Sequence, residues 1–452
     1  MNKLKVIILA GGQGTRMKSK IPKVLHKVLD RTMIDYVIEA SNDINAEDIM
    51  VIVGHQSAMV KAVIGEDVKY KYQKEQLGTG HAVMQALDFI GDNENILILY
   101  GDTPLIKKET LEKLVKIHNK EKNYVTVISS FVENPTGYGR IVRENGIFNK
   151  IVEQRDTNEK EAKINEINTG VYIFNSNALK DALNNLSNDN SQNEYYLTDT
   201  LELIKNTGNK VGIMIADDNE EFLGVNSKYE LSVAINIMKK RINKYHMENG
   251  ITIEDPNNTY IGKDVTIGKD TVILPGCIIE GKTHIGSDCI IGPYSNIVST
   301  EIKDCVNIKQ STVLSSYINS YTNVGPYSYI RPNSKIGEHV KIGDFVEIKN
   351  SNIDDNTKIS HLTYVGDSDV GKNVNFGCGT ITVNYDGKHK HRTVIEDDAF
   401  IGCNTNLIAP VNVGKNASTG AGSTITNDVP ENALAISRVK DQINKLDYNN
   451  NR

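Results

Sequence analysis

The sequence predicts an α/β protein in two architectures. A doubly wound, Rossmann-like domain is expected over residues 1–227, a linker helix over 228–248, and a left-handed parallel β-helix of six-residue repeats over 249–452. Three observations carry this reading. The first half alternates continuous apolar runs with amphipathic stretches, the second half repeats an aliphatic residue every sixth position, and the pattern changes near Gly250. The length of 452 residues is itself too great for one ordinary core.

In the first half, Val6-Ile7-Ile8-Leu9, Ile49-Met50-Val51-Ile52-Val53, Ile96-Leu97-Ile98-Leu99-Tyr100 and Tyr124-Val125-Thr126-Val127-Ile128 read as strands buried on both faces of a parallel sheet. Helical spacing lies between them, as in Thr110-Leu111-x-x-Leu114-Val115-x-x-His118. Over 228–247, Leu231, Ala234, Ile235 and Met238 recur at helical spacing, with Lys239, Lys240, Arg241 and Lys244 toward the end that favours cations. Seven isoleucines, Ile261, Ile267, Ile273, Ile279, Ile285, Ile291 and Ile297, then stand six residues apart. The repeat slips and resumes through Ile302, Ile318 and Ile353 to Ile425, with an interruption around 376–393 expected to project as a loop. Neither an α-helix nor an ordinary strand has this period. Three such repeats make one triangular coil, with one aliphatic side chain inward on each face.

Composition excludes several classes. The net charge of −6 offers no basic surface for nucleic acid or an anionic membrane. Hydrophobic residues at 39% argue against disorder, and no apolar run approaches the 18 or so residues of a span. The short run Val6–Ala10 reads as a first strand and not as a signal peptide. Five cysteines without C-x-x-C spacing suggest reduced thiols in a cytoplasmic protein. Most of the ten histidines are expected at solvated positions, His118, His246, His284 and His339 among them, with His361 set apart.

The first strand ends in Leu9-Ala10-Gly11-Gly12-Gln13-Gly14-Thr15-Arg16-Met17, followed by Pro22-Lys23. A glycine turn after a parallel strand presents backbone N–H groups to an anion, and Arg16 and Lys23 add positive charge. It is not a P-loop, which needs G-K-[ST]. A dinucleotide fingerprint would want a third glycine where Met17 stands and an acid where Gly54-His55 stands. L-x-x-G-x-G-T-R-M with P-K resembles the signature of sugar-nucleotide pyrophosphorylases. Gln73-x-x-Gln76-Leu77-Gly78-Thr79-Gly80-His81, Tyr100-Gly101-Asp102, Pro135–Arg140, Ile151-Val152-Glu153, Glu166–Gly170 and Gly224-Val225-Asn226 extend the resemblance. With the β-helix, essentially the whole chain resembles the bifunctional bacterial N-acetylglucosamine-1-phosphate uridylyltransferase/glucosamine-1-phosphate N-acetyltransferase family.

The resemblance implies acetyl-CoA-dependent N-acetylation of glucosamine-1-phosphate in the second half. Mg²⁺-dependent uridylyl transfer from UTP in the first half would then give UDP-N-acetylglucosamine for cell-envelope polymers. It implies that Leu9, Ala10, Gly11, Gly12, Tyr100 and Gly101 line the nucleotide site and that Gln73, Gly78 and Thr79 read uracil. Arg16 and Lys23 would stabilise the triphosphate, Asp102 and Asn226 would bind Mg²⁺, and Gly139, Glu153 and Asn168 would hold the acetylated sugar. In the second half, Ser360-His361-Leu362-Thr363-Tyr364 matches the acetyltransferase stretch, making His361 the base that deprotonates the sugar ammonium, with Glu347 as its orienting carboxylate. Arg331 and Lys349 would hold the sugar phosphate; Tyr364, Asn375 and Asn384 the sugar; and Asn384, Tyr385, Cys378, Cys403, Ala421 and Arg438 the acetyl-CoA path. Cys378 and Cys403 stand where the family more often has Ala and Ser. With no base at a recognisable sequence spacing, neither reads as a nucleophile. A homotrimer is implied, in which Asn384, Tyr385, Ala421 and Arg438 complete a neighbour's site. The alternatives are a single-activity pyrophosphorylase with a regulatory β-helix and a non-catalytic scaffold; the first is opposed by His361, Arg331 and Lys349, the second by Asp102, Arg16 and Lys23.

Overall fold

The computed structural model describes residues 3–439. The chain divides into two compact units, Met1–Met238 and Lys239–Arg452, with the division inside a helix over Lys228–Glu248.

In the first unit the main sheet runs Val211–Ile215, Val125–Phe131, Glu166–Asn175, Asn95–Tyr100, Leu4–Ala10, Asp48–Val53, Lys69–Tyr72. Leu4–Ala10 is central and, apart from Lys5 at its start, apolar because both of its faces are covered. Ile7 packs with Ile52, Ile96 and Ile98 on one side, and Val6 and Ile8 pack with Val51, Leu97 and Leu99 on the other. The strands are parallel except for Glu166–Asn175, which runs antiparallel to both neighbours. The register sets Leu9 beside Tyr100 and Ala10 beside Val53. The Gly11-Gly12 turn, Gly54 and Gly101-Asp102 therefore leave the sheet side by side at one carboxyl edge, where ligands bind in open α/β sheets. A Cβ on Gly54 would stand 2.3 Å from the Gly11 carbonyl oxygen, so the close approach of these turns requires glycine.

The second unit is the β-helix. Three columns of inward side chains run along it: Ile261, Ile279, Ile297, Val313, Ile330, Ile348 and Val365; then Ile267, Ile285, Ile302, Ile318, Ile336, Ile353 and Val370; then Ile273, Ile291, Ile308, Val324, Ile342 and Ile359. Each member pairs in parallel register with the one below, and nearly all are buried. The interruption at 376–393 is shorter than the sequence implied. Phe376 and Thr382 keep inward positions, unrecognised because neither is aliphatic, and Tyr385 bridges to Lys390 in the turn beyond.

Two expectations need correction. His118 and His246 are buried at 3% exposure, because each lies on the inward face of its helix. Lys239 is also buried. Its ammonium donates to the Asn257 carbonyl at 2.5 Å and lies 4.5 Å from the Tyr260 ring centroid, so it serves packing and not the helix dipole.

Burial pushes the His118 imidazole down to about 4 from 6.5. The folded state excludes a proton that the unfolded chain binds, so stability is full above 6.5, falls as pH drops through the 6.5-to-4 window, and levels off below it. The first unit should lose on the order of 3 kcal/mol through this group alone. Denaturant melts at pH 7 and 4.5 should show a smaller pH loss in His118→Gln than in the parent; equal losses would refute the assignment.

Candidate functional sites

A cleft of about 340 Å³ opens at the carboxyl edge of the first unit's sheet. Leu9, Ala10, Gly11, Gly12, Lys23, Gln73, Gly78, Thr79, Tyr100, Asp102 and Asn226 line it, together with Val24, Gln76, Ala82 and Glu194. The Lys23 ammonium is held between the Asp102 carboxylate and the Asn226 amide oxygen, the latter at 2.9 Å. Gln73 is buried and donates to the Gly78 carbonyl at 3.1 Å, while a Cβ on Gly11 would meet its Oε1 at 2.9 Å. One amide thus ties the first turn to the second. Gly78 has φ +106, and a Cβ there would lie 2.5 Å from the Tyr195 carbonyl oxygen. Thr79 accepts from the Leu197 N–H at 3.1 Å. The Glu194–Leu197 segment that closes the Gly78-Thr79 side of the cleft was missed because it carries no motif; Gly78 and Gly80 were its only sequence trace.

Gly139, Glu153 and Asn168 gather in an adjoining corner. Asn168 N–H donates to the Gly139 carbonyl at 2.9 Å, and a Cβ on Gly139 would lie 3.4 Å from Glu153 Oε2. Burial raises the Glu153 carboxyl, and burial followed by Glu153 lifts Asp199 to about 6. Tyr100 joins corner and cleft: burial, then Glu153 and Asp102, push its phenol up. Arg16 is exposed on the turn Thr15–Met17 and does not line the cleft, and neither does Gly101.

In the second unit, register builds the site. Asp344 pairs with His361, and the same ladder continues through Ile359–Phe376, Phe376–Ile401 and Ile401–Thr419. Two residues further on, Gly379 N–H donates to the Leu362 carbonyl at 2.9 Å, Asn404 N–H to Cys378 at 2.8 Å, and Gly422 N–H to Cys403 at 2.8 Å. Asp344, His361, Cys378, Cys403 and Ala421 therefore form one column on successive coils. His361 Nδ1 lies 2.8 Å from Asp344 Oδ1. This corrects the expected orienting carboxylate: Glu347 pairs in register with Tyr364 and accepts from Arg331 at 2.8 Å. His361 and Cys378 share backbone register one coil apart.

Arg331, Lys349 and Tyr364 gather next to this column. Lys349 lies 3.4 Å from the buried Asp367 carboxylate, which also accepts from Asn350 at 2.5 Å and from Asn384. Asn384 reaches Tyr364 Oη of its own chain at 3.4 Å. Lys390 on the projecting turn was missed. The neighbouring Lys349 ammonium holds its own ammonium below the usual lysine range. Three cations facing Asp367 and Glu347 suit a phosphate. Arg438 donates to the Ala421 carbonyl at 2.6 Å at the far end, and Asn375 is half-buried on the coil that carries Cys378.

An anion-binding cleft on a doubly wound sheet and a histidine column on a hexapeptide β-helix define a transferase with two active centres. Residues 5–231 match the nucleotidyl transferase family, and residues 264–299, 315–350 and 392–427 match the bacterial transferase hexapeptide repeats. The chain is 55% identical over 446 residues to the bifunctional protein GlmU of Caldanaerobacter subterraneus subsp. tengcongensis and to that of Thermoanaerobacter pseudethanolicus, covering 98% of this chain and 97% of each relative. It is 52% identical over 440 residues to that of Clostridioides difficile, covering 97% and 96%. The chain belongs to the bifunctional GlmU family. It is an enzyme of UDP-N-acetylglucosamine synthesis with uridylyltransferase and glucosamine-1-phosphate N-acetyltransferase activities, using nucleotide and acyl-CoA substrates.

The Asp344–His361 contact predicts a kinetic division. Asp344→Asn should lower kcat for acetyl transfer by at least about tenfold and at most about 10⁴-fold, the loss seen for a buried triad aspartate, with little change in KM for acetyl-CoA. Glu347→Gln should instead raise KM for the sugar phosphate, through Arg331. Steady-state kinetics of both variants would distinguish the two carboxylates, and a kcat collapse in Glu347→Gln alone would reverse the assignment.

Proposed function

We propose that residues 249–452 acetylate glucosamine-1-phosphate and that residues 1–227, joined by the helix over 228–248, then transfer the uridylyl group of UTP to the N-acetylated product. The 2.8 Å contact between His361 and Asp344 beside a cluster of cations carries the first assignment. An ammonium cannot attack a thioester; His361 takes the proton from the sugar amine, with Asp344 fixing the ring through Nδ1. Arg331 and Lys349, joined by Lys390, hold the phosphate, and Tyr364, Asn375 and Asn384 hold the sugar. Cys378, Cys403, Ala421, Tyr385 and Arg438 border the acetyl-CoA path.

For uridylyl transfer, the sugar phosphate oxygen attacks the α-phosphorus of UTP and pyrophosphate leaves, so the protein acts by alignment and charge. Gln73, Gly78 and Thr79 orient the base. Gly139, Glu153 and Asn168 orient the sugar, and Arg16 and Lys23 balance the triphosphate. Mg²⁺ fits Asp102 and Asn226, because a carboxylate and an amide oxygen already converge on one positive charge, that of Lys23. Bound there, the ion would supply charge neutralisation to the phosphates.

A homotrimer is the proposed assembly. Tyr294, Tyr327, Phe345 and Leu362 are exposed on one corner of the β-helix, with the Tyr327 and Phe345 rings stacked at 5.6 Å, and Leu362 adjoins His361. Copies of the chain covering this apolar ridge would bury it. Light scattering should return three chains; a monomer with full acetyltransferase activity would exclude the trimer. Among the described residues no helix is long and apolar enough to cross a membrane. The five cysteines are free, which supports the cytoplasm as the location.

A coupled assay with glucosamine-1-phosphate, acetyl-CoA, UTP and Mg²⁺ tests the whole reading. His361→Ala should cost acetyl transfer about 10²–10⁴-fold and spare uridylyl transfer. Asp102→Ala should abolish uridylyl transfer and spare acetyl transfer. A His361→Ala protein that acetylates at the parent rate would end the general-base assignment.

A further inference from the structure

We propose that Lys228 is a positioning residue for uridylyl transfer: acting through the buried His26 imidazole, it holds the turn that carries Lys23 against the segment that carries Asn226. The inference rests on the reading of the cleft as the uridylyl-transfer site and deepens it.

The observation is a buried imidazole that joins two segments of the cleft wall. His26 is 7% exposed and directly follows the turn Lys23–Leu25. Its backbone closes that turn: the His26 N–H donates to the Lys23 carbonyl at 3.2 Å, and the His26 carbonyl accepts from the Met33 N–H at 3.0 Å. Its ring donates to the Ile21 carbonyl at the start of the same turn. Lys228 approaches the ring from the other segment, its ammonium 3.1 Å from Nδ1 and 3.5 Å from Nε2. An ammonium has only donors to offer, so the imidazole accepts from it as a neutral ring. Burial, then the Lys228 charge, push the imidazole below its usual range and keep it so.

Lys228 opens the helix Lys228–Glu248, where the aligned peptide dipoles favour an anion and not a cation. An anion is there as well: Glu230 accepts from the Asn226 N–H at 2.7 Å, and its own N–H donates to Ser227 Oγ at 3.2 Å. A lysine at this position gains nothing from its helix; its contact is with His26. Two residues earlier, the Asn226 amide oxygen accepts from Lys23 at 2.9 Å, and the Val225 N–H donates to the Asp102 carbonyl at 2.9 Å. Lys23, Asn226, Lys228 and His26 thus close a circuit. From the opposite side the glycine turn packs on the same lysine, since a Cβ on Gly14 would stand 2.8 Å from the Lys23 Cβ.

The circuit ties the Lys23 turn to the Asn226 segment twice. One tie is the Lys23 ammonium itself, and it is given up when that ammonium turns to a triphosphate. The other joins His26 to Lys228, neither of which lines the cleft, so it persists. It keeps the stem of Lys23 in place while the head changes partners, at a site where a misplacement of about 1 Å can cost about 10²-fold in rate.

The test is steady-state kinetics of the full chain with UTP, N-acetylglucosamine-1-phosphate and Mg²⁺, with hydrogen exchange of the substrate-free protein as a second readout. Lys228→Met should lower kcat for uridylyl transfer by about ten- to a hundredfold. Acetyl transfer should be unchanged, and faster exchange should be confined to the peptide Ser19–Val28. Lys228→Arg and His26→Gln each keep a donor or an acceptor in place and should recover most of the loss, whereas His26→Leu should match Lys228→Met. In a Lys23→Ala background, Lys228→Met should cost nothing further, because its effect passes through Lys23. A Lys228→Met chain that transfers at the parent rate would overturn the proposal, whatever its exchange. So would a loss that adds in full to that of Lys23→Ala, since Lys228 would then act on the substrate by a route of its own. Lys23→Ala at the parent rate would instead remove the reading of the cleft, and the proposal with it.

Discussion

Parallel backbone pairing in register is the constraint on which the second unit depends. Each coil donates its N–H groups to the coil below or above, so a residue's neighbours along the axis are set by the ladder and not by its own side chain. Three consequences follow from one geometry. Inward positions stack into aliphatic columns, where each isoleucine contributes about 1.5–3 kcal/mol on burial. Corner positions stack in the left-handed region, and this explains the recurrence of Asn333, Asn350, Asn356, Asn373, Asn404, Asn416 and Asn432 at positive φ. Asparagine tolerates that region better than branched or bulky residues. Outward positions stack into columns of chemistry, and Asp344, His361, Cys378, Cys403 and Ala421 are one of them.

The first unit uses the register of a sheet for the same end. Parallel strands terminate at one edge, so the residues just past Ala10, Val53 and Tyr100 converge without being close in sequence. What they build is a place for negative charge: N–H groups of a glycine turn, the Lys23 ammonium, and the oxygens of Asp102 and Asn226 that hold it. The largely buried Lys23–Asp102 pair, 15% and 13% exposed, is balanced internally. Charges so far from water need partners, and an arriving triphosphate with a metal ion would exchange one set of partners for another.

Much of this was legible in the sequence. The six-residue period could come only from a β-helix, and the glycine turn with Lys23, Gln73, Gly78, Thr79, Asp102 and Asn226 did converge on one cleft. What escaped had a physical reason in each case. Strand direction is not encoded in hydrophobic runs, so the antiparallel Glu166–Asn175 was read only as a motif. Phe376 and Thr382 hold inward positions without being aliphatic. Glu347 and Asp344 are equally acidic and only three residues apart, but the ladder sets Asp344 against His361 and Glu347 against Tyr364. The spacing from His361 to Cys378 is one coil, while that from Cys378 to Cys403 is a coil lengthened by the projecting turn. No fixed sequence interval therefore announces the column.

Separating columns by role also explains how one scaffold can vary its chemistry. A substitution at an inward position changes the core and costs stability at once. A substitution in an outward column changes which group stands one strand spacing from His361, while the ladder holds the backbone unchanged. The register thus allows an outward column to change one exposed side chain at a time, with neither the core columns nor the cluster of Arg331, Lys349 and Lys390 disturbed.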